Sequence, residues 1–537
     1  MTAQARYCLI VAAVIAFPAF FIMLVVLSSF ADLQPENWRH LMAHVLPRVL
    51  SNSFWLVCGV TLLSLVLGIT LAWLTAVCKF PGQKFFDWAL MLPMAMPAYV
   101  LAFVYIGLFD FTGPVFTALR GWGIHITGLE IRSRGGVILV MSLALYPYVY
   151  LILRNAFATQ GSRALEVAQT LGYSRWQGFW RLALPLARPW VGGAAMLVIM
   201  ETLADFGAVA IFNYDSFTTA IYSAWFGLHS TATALQLASF LLVIIMLLLW
   251  LESGLGVRRR YDHQEPVQRR IELSRWQAWM ATGFAGTVLF FAFVMPVTQL
   301  VLWAMQSYQV EINQQYWSYV EHTLYLGVIA AFLIVALALL MVYVRRGYPP
   351  YLRQWPMILL SRISTLGYAL PGPLLAVGLM LPLVWLSARL NEWGLGLWLL
   401  HSSLATLMLG YAVRFMAVGL NPLDAGITRI TRSIDEAARS LGASASSLLV
   451  RIHLPMLRGA LLTALLLVAV DVMKEMPITL MVRPFGWDTL AVRIFELTSE
   501  GEWQRAAMPA LVLLLVGLIP VGVLMRGMYS AGRTGEN

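Results

Sequence analysis

Charge is what this chain has least of. Only 12% of its 537 residues are Asp, Glu, Lys or Arg, about half the share of an ordinary soluble domain. With a mean hydropathy of +0.76, that argues against a soluble globular protein. Lysine is scarcer still: Lys79, Lys84 and Lys474 are the whole supply, and none follows a glycine. The chain therefore contains no G-x-x-x-x-G-K-[ST] phosphate loop and cannot itself perform that kind of nucleotide chemistry. Cysteine is limited to Cys8, Cys58 and Cys78, which lie in or beside the first two apolar runs. Their spacing fits neither a disulfide framework nor a metal or redox site, and they read as small apolar packers. A clustered acid/base or metal constellation, as a membrane-embedded enzyme would need, is also missing from the sequence.

Apolar runs are abundant instead. A spanning helix needs roughly 20 apolar residues, and about twelve such runs lie near 7–29, 51–76, 86–109, 136–157, 190–212, 233–252, 278–304, 322–344, 356–386, 400–420, 460–481 and 507–528. Lipid offers the backbone no hydrogen-bond partner, so spanning segments are helices or closed barrels. These runs are long and continuous rather than short and alternating, which excludes a barrel and predicts an all-α, polytopic membrane protein. The first run has a signal-like Arg6 flank, but its apolar core is too long and no A-x-A site follows, so it reads as a retained first helix.

The net charge of +10 is unevenly spread. With a cytoplasmic N-terminus, 26 of the 36 Lys and Arg fall on the cytoplasmic side, nine outside and Lys474 within a span, as the positive-inside rule requires. The segment from Gln306 to His322 has no Lys or Arg, as suits an external loop, whereas Arg258–Arg270 is strongly basic. Its position between two sets of six runs fits a cytoplasmic linker better than a nucleic-acid site.

The chain is a tandem repeat. "EVAQTLGYSRWQGFWRLALP" (Glu166–Pro185) returns as "EAARSLGASASSLLVRIHLP" (Glu436–Pro455) at an offset of 270. "NSFWL" (Asn52–Leu56) returns as "HTLYL" (His322–Leu326) at the same offset, and the segment around Pro97 resembles that around Pro371. These matches predict two units of six helices each, residues 1–255 and 277–537, joined by a linker at 256–276. An even number of helices gives both units one orientation, as in parallel repeats related by an axis along the membrane normal. A translocation path is then expected between them.

The repeated stretch falls between the fourth and fifth helices of each unit and is expected on the cytoplasmic side. Gly172 and Gly442 suit a left-handed helix stop, Ser174 and Ser444 suit the cap of a following helix, and Pro185 and Pro455 suit a first helical turn. Ala168 and Ala438 keep one face small for close approach. Trp176, Phe179 and Trp180 make the first copy bulky where the second has Ser446, Leu449 and Val450. Taken singly, each stretch fits an interfacial hairpin as well as a docking element; two copies at one offset favour docking.

These loops resemble the E-A-A-x-x-x-G-(x)9-I-x-L-P signature of bacterial ABC importer permeases. Glu436, Ala437, Ala438, Gly442, Ile452, Leu454 and Pro455 fit it fully; the first copy keeps Glu166, Ala168, Gly172, Leu184 and Pro185 but has Val167 and Leu182 elsewhere in the pattern. The resemblance implies a type I permease-like arrangement in a bacterial inner membrane, with both termini cytoplasmic. It implies that each loop docks on a cytoplasmic ATPase subunit, two copies in all, and that ATP and Mg belong to those subunits, with no cofactor on this chain. It also implies cargo delivery by a periplasmic or lipid-anchored solute-binding protein. A gradient-driven twelve-helix transporter would duplicate a loop too, but without this motif content.

Ionisable groups inside spans are costly and are functional candidates by default. Glu201 and Asp205 stand four apart in the fifth run, and at the offset of 270 so do Asp471 and Glu475, with Lys474 between. Carboxylate oxygens suit hard cations, and an acidic lining would favour positive cargo. The competing reading pairs Asp471 or Glu475 with Lys474 or with an Arg of a neighbouring helix, purely to hold the bundle. No stable metal site is expected. The segments Ala204–Phe226 and Asp471–Leu497 resemble the ferric-iron permeases of this superfamily, whose relatives also move thiamine, polyamines, sulfate or phosphonates. His453 reads as a surface contact within the second loop, and Tyr214, Asp215, Tyr222 and His229 as an external loop suited to a binding protein or simply to solvent.

Overall fold

The computed structural model describes residues 3–28, 39, 41–124, 130–254, 271–349, 351–392 and 403–533. Most of the expected linker lies outside the described residues. Among the described residues eleven helices are long and apolar enough to cross a membrane, twelve if the bent pair Trp176–Leu186 and Arg188–Ala204 is counted as one span. The only strands among the described residues are the two-residue segments Cys78–Lys79 and Ile271–Glu272, which pair in parallel. The architecture is all-α, as composition and run length require.

We number the membrane helices in order. The first repeat has α1 (Ala3–Ser28), α2 (Leu46–Val77), α3 (Ala98–Phe109), α4 (Arg134–Thr170), α5 (Arg188–Ala204) and α6 (Thr231–Gly254). The second has α7 (Arg275–Glu311), α8 (Gln314–Gly347), α9 (Gly372–Glu392), α10 (Leu404–Thr428), α11 (Leu454–Lys474) and α12 (Trp503–Arg533). Four of the twelve expected apolar runs are broken. Those at 86–109 and 356–386 are interrupted by short tight helices, Leu92–Ala95 and Leu366–Ala369, ahead of α3 and α9. Those at 190–212 and 460–481 end as helices at Ala204 and Lys474 and restart as Gly207–Ile211 and Pro477–Val482.

The chain folds into two compact units that do not follow the sequence halves. One comprises residues 1–37, 221–242 and 312–493; the other comprises 38–220, 243–311 and 494–537. In the first of these, α1 lies against α8 and α9 of the second repeat. Its start is tied by Gln4 Nε2 donating to the Gly347 carbonyl at 2.9 Å, and Ser239 Oγ donates to the Val26 carbonyl near its end. In the other unit, α7 and α12 pack together and against α3 of the first repeat. Tyr105 donates to the Phe291 carbonyl at 2.9 Å, Ser307 donates to the Gln504 carbonyl at 2.8 Å, and Arg505 pairs with Glu311 at 2.9 Å. The repeat boundary is a sequence boundary; the compact units exchange end helices across it.

Within each unit the two helices that frame the repeated loop are packed on the same neighbours. α4 packs on α2 and α5 in one unit, and α10 packs on α8 and α11 in the other. Each repeated loop is thereby carried on a three-helix core.

Candidate functional site

The two repeated loops have one backbone design. Helix α4 runs to Thr170, and Gly172 follows in the left-handed region at φ 78°. Tyr173 N–H donates to the Ala168 carbonyl at 2.9 Å and Gly172 N–H to the Gln169 carbonyl at 3.0 Å, the paired bonds of a Schellman stop. The second loop repeats this after the helix Arg432–Ser440. Gly442 has φ 83°, Ala443 N–H donates to the Ala438 carbonyl at 3.0 Å and Gly442 N–H to the Arg439 carbonyl at 3.0 Å. A side chain on either glycine would meet nothing within 4 Å, so the requirement for glycine is conformational and not steric. Ser174 and Ser444 then cap the next turn, accepting from Gln177 N–H at 3.3 Å and Ser447 N–H at 3.2 Å. In the first loop Gln177 Oε1 also accepts from Ser174 N–H at 3.0 Å, completing a reciprocal capping box.

Burial separates the motif into an inner and an outer face. Ala168 and Ala438 are buried, so the small residues admit the loop against its own unit. Glu166, Glu436 and Ala437 are exposed, as are Leu171, Leu441, Trp176, Trp180 and Val450. Leu441 is 88% exposed and Trp176 is 70% exposed. Leu184, Ile452 and Leu454 are half-buried, and Pro185 and Pro455 open the first turns of the helices Leu184–Leu186 and α11. Large apolar side chains presented around a polar motif mark an interaction face.

The loops differ in what holds them. In the second, His453 is buried, not at the surface as expected, because a carboxylate beneath it needs a donor. His453 Nε2 donates to Asp435 Oδ1 at 3.0 Å. Arg346, at the end of α8, donates through Nε to Asp435 Oδ2 at 2.6 Å and through Nη2 to Oδ1 at 3.0 Å. Its remaining donors reach the Ile427 and Thr431 carbonyls at 3.0 and 3.1 Å. Burial pushes the Asp435 carboxyl upward, but the hydrogen bonds and charges of Arg346 and His453 outweigh it and hold the group below its ordinary value. Asp435 escaped sequence reading, although it stands three residues before Ala438 and so on the same inward helical face.

At the offset of 270 the first repeat has Ala76, Leu165 and Ala183 in place of Arg346, Asp435 and His453. Its loop is held by aromatic packing. Trp73 meets Phe157 edge-on at 5.2 Å and Phe179 at 4.7 Å, and Trp176 stacks on Phe179 at 6.3 Å. The path onward also differs. The span bends by 69° at Ala187 in the first repeat, whereas Ser446–Lys474 is continuous in the second. Pro189, whose counterpart is Gly459, explains the bend: it has no N–H to give, and its ring clashes with the carbonyl four residues back.

The carboxylates of the fifth helices do not share one unbroken helical face, because the helix ends between them. Asp205 follows the last residue of α5, and its Oδ1 accepts from Ala208 N–H at 3.0 Å and Val209 N–H at 3.2 Å. Glu475 follows the last residue of α11, and its Oε1 accepts from Ile478 N–H at 3.0 Å. Each caps the short helix beyond the break, where free N–H groups and the helix dipole favour negative charge. Glu475 is also paired with Arg414 of α10 at 3.1 Å. Arg414 donates in addition to the Leu370 carbonyl, and nearby Tyr411 and Thr479 hydroxyls are 2.6 Å apart. Gly372 closes this knot, since a Cβ there would stand 2.7 Å from Pro477 Cβ. For Glu475 this is the expected alternative, a pairing with an Arg of a neighbouring helix, and Arg414 is that residue. Glu201, Asp471 and Lys474 are half-buried in the last turns of α5 and α11. Among the described residues no group of three His, Cys, Asp or Glu could hold a metal ion.

Of the external-loop candidates, Tyr214 donates to the Asn52 carbonyl at 3.0 Å and Asp215 pairs with Arg48 at 2.5 Å. His229 takes a left-handed φ of 51°.

Sequence comparisons agree with this geometry. The family described as binding-protein-dependent transport system inner membrane component matches twice, over residues 64–260 and 350–531. The "Fe(3+)-transport system permease protein FbpB 2" of Haemophilus influenzae is 28% identical over 494 residues, covering 89% of each chain. The Escherichia coli K12 "Molybdenum transport system permease protein ModB" is 31% identical over 35% of this chain and 86% of its own length. The "Sulfate transport system permease protein CysW" of the same organism is 33% identical over 30% of this chain and 55% of its own length. With both repeats matched and the helix count and duplicated loops in place, the chain belongs to the family of inner-membrane components of binding-protein-dependent transport systems, as a fused two-unit permease.

Proposed function

We propose that this permease is the membrane path of an ATP-driven importer of ferric iron. The observation that carries the reading is the pair of loops with one backbone design, each presenting exposed apolar side chains beside an exposed Glu166 or Glu436. One docking geometry used twice suits two copies of one ATPase, with ATP and Mg held on those subunits. The ferric assignment draws on likeness to an iron-transport permease along 89% of both chains, where the molybdenum and sulfate permeases match about a third of this one. By the positive-inside count both loops and both termini face the cytoplasm, and cargo arrives on a binding protein from the other side.

Within the path, Glu475 is assigned to holding the helix break, because Arg414 and the Ile478 N–H already occupy its oxygens. Glu201, Asp205 and Asp471 are assigned to favour passage of positive cargo, with Lys474 beside Asp471. The test is uptake into vesicles carrying the full chain. Iron is expected to enter only with the ATPase subunits, ATP and an iron-loaded binding protein present together. Uptake by the chain alone on a proton or sodium gradient would refute the importer reading. Uptake of molybdate or sulfate but not iron would refute the cargo. Glu201→Gln with Asp205→Asn is expected to lower iron uptake at least tenfold, and unchanged uptake would make those carboxylates structural.

A further inference from the structure

A cavity of about 220 Å³ lies beside the second loop, lined by Gln4, Arg346, Tyr351, Arg432, Glu436 and Arg439, among others. It lies where two spanning helices end together, since Gln4 opens α1 and donates to Gly347 at the end of α8. Three guanidinium groups face two carboxylates, Asp435 and Glu436. Arg346 is consumed by Asp435, through two hydrogen bonds. Arg432 and Arg439 are exposed and have no ion-pair partner among the described residues, so they outnumber Glu436. Tyr351, 75% exposed at the rim, is of the type that settles at a membrane surface.

From this we infer that the cavity is a binding site for the phosphodiester headgroup of an anionic phospholipid. Guanidinium forks match phosphate oxygens in geometry and charge. Basic pockets at the cytoplasmic ends of spanning helices take anionic headgroups, and the cytoplasmic side is where the positive-inside count puts this end. The volume admits a headgroup with its short alcohol and is below the range of pockets that enclose a nucleotide-sized ligand. The site is a property of one loop only. At the offset of 270 the first repeat has Ala76, Ser162 and Gln169 where the second has Arg346, Arg432 and Arg439. A lipid bound there would touch the helix that bears Glu436, Ala437 and Ala438 and would bias the second loop alone. The inference depends on the membrane placement of the chain and not on its cargo.

The test uses the purified full chain in neutral detergent, with phosphatidylglycerol as the probe and native mass spectrometry as the readout. Wild type is expected to retain phosphatidylglycerol over phosphatidylcholine. R432Q/R439Q is expected to retain it roughly 30-fold less well, taking each arginine at the usual contribution of a basic group near an anionic surface. Arg429→Gln, which removes an exposed charge outside the cavity, is expected to retain it as wild type does. Equal retention by R432Q/R439Q would overturn the inference, as would equal loss in Arg429→Gln. Displacement of the lipid by millimolar inorganic phosphate alone would assign the cavity to a free anion and overturn the lipid assignment. Iron transport is not read in any arm, so a failure here is distinct from a failure of the importer reading.

Discussion

The two loops solve one mechanical problem with opposite chemistry. Both stop a helix on a left-handed glycine and restart it on a serine cap, and the first adds the reciprocal bond from Ser174 N–H to Gln177. Beneath that shared backbone, the first is wedged by Trp73, Phe157 and Phe179, and the second is clamped by Arg346, Asp435 and His453. The same contrast recurs at the helix breaks. Where the second repeat knots Arg414, Tyr411 and Thr479 around Glu475, the first has Ala144, Met141 and Val209 at the corresponding sequence positions. The two repeats share the backbone that turns the chain and differ in the side chains that hold it. Aromatic packing is tolerant of direction, whereas a hydrogen-bonded ion pair fixes it. The second loop is therefore the more rigidly aimed of the two.

The strongest way to break this comparison is to take one partner from the clamp. Asp435→Leu leaves Arg346 and His453 buried without their acceptor, and equilibrium unfolding in mixed micelles is expected to show a loss of about 3 kcal/mol. The triple variant R346A/D435L/H453A installs the residues of the first repeat and is expected to recover part of that loss. If single and triple variants are equally destabilised, the clamp is not the unit of stability it is taken for.

Substitution of the shared glycines should instead erase the difference between the loops. Gly172→Ala and Gly442→Ala each force a Cβ into a left-handed conformation with open space around it. Each is expected to cost about 1–2 kcal/mol. The measurement is protease sensitivity at each loop, and unequal effects would show that the two stops are not equivalent.

Straightening the first span tests the reason for its bend. Pro189→Gly copies the residue at Gly459 and is expected to reduce the 69° bend toward the continuous course of Ser446–Lys474. Spin labels on either side of Ala187 would report the change in distance, and an unaltered bend would remove Pro189 as its cause.

The smallest effect is that of pH. Asp435 is held below its ordinary value of 3.8, so its folded form binds a proton less readily than its unfolded form. Its stabilising contribution is complete above about pH 4 and is lost as pH falls through the lowered folded value. Protease sensitivity at the second loop should rise in that acid range more than at the first, where Leu165 and Ala183 stand at the positions of Asp435 and His453. An equal rise at both would detach the acid response from the clamp.

Local chemistry was legible wherever it depended on neighbours in sequence. The glycine stops, the serine caps and the twelve spans follow from backbone conformation, side-chain reach over three residues and apolar run length. Other features depend on what a distant segment supplies. His453 reads as a surface residue because the burial of its partner Asp435, in the same loop, depends on Arg346, which stands at the end of another helix. Glu201 and Asp205 looked like one helical face because the run is apolar across the break. The helix can stop at Ala204 only because Asp205 caps the segment that restarts.

Taken alone, the sequence determined the all-α membrane fold, the duplication and the backbone of the two loops, since hydropathy, period and cap residues act within a turn or two of helix. Only the tertiary structure decided which helices form a compact unit. α1 packs with the second repeat and α7 and α12 with the first, because two sequence halves so alike give helix ends no local reason to prefer their own. It also decided which buried charges are spent. Glu475 meets Arg414 across 61 residues of chain and Asp435 meets Arg346 across 89, and the energy of a buried charge is set by the partner that packing brings to it.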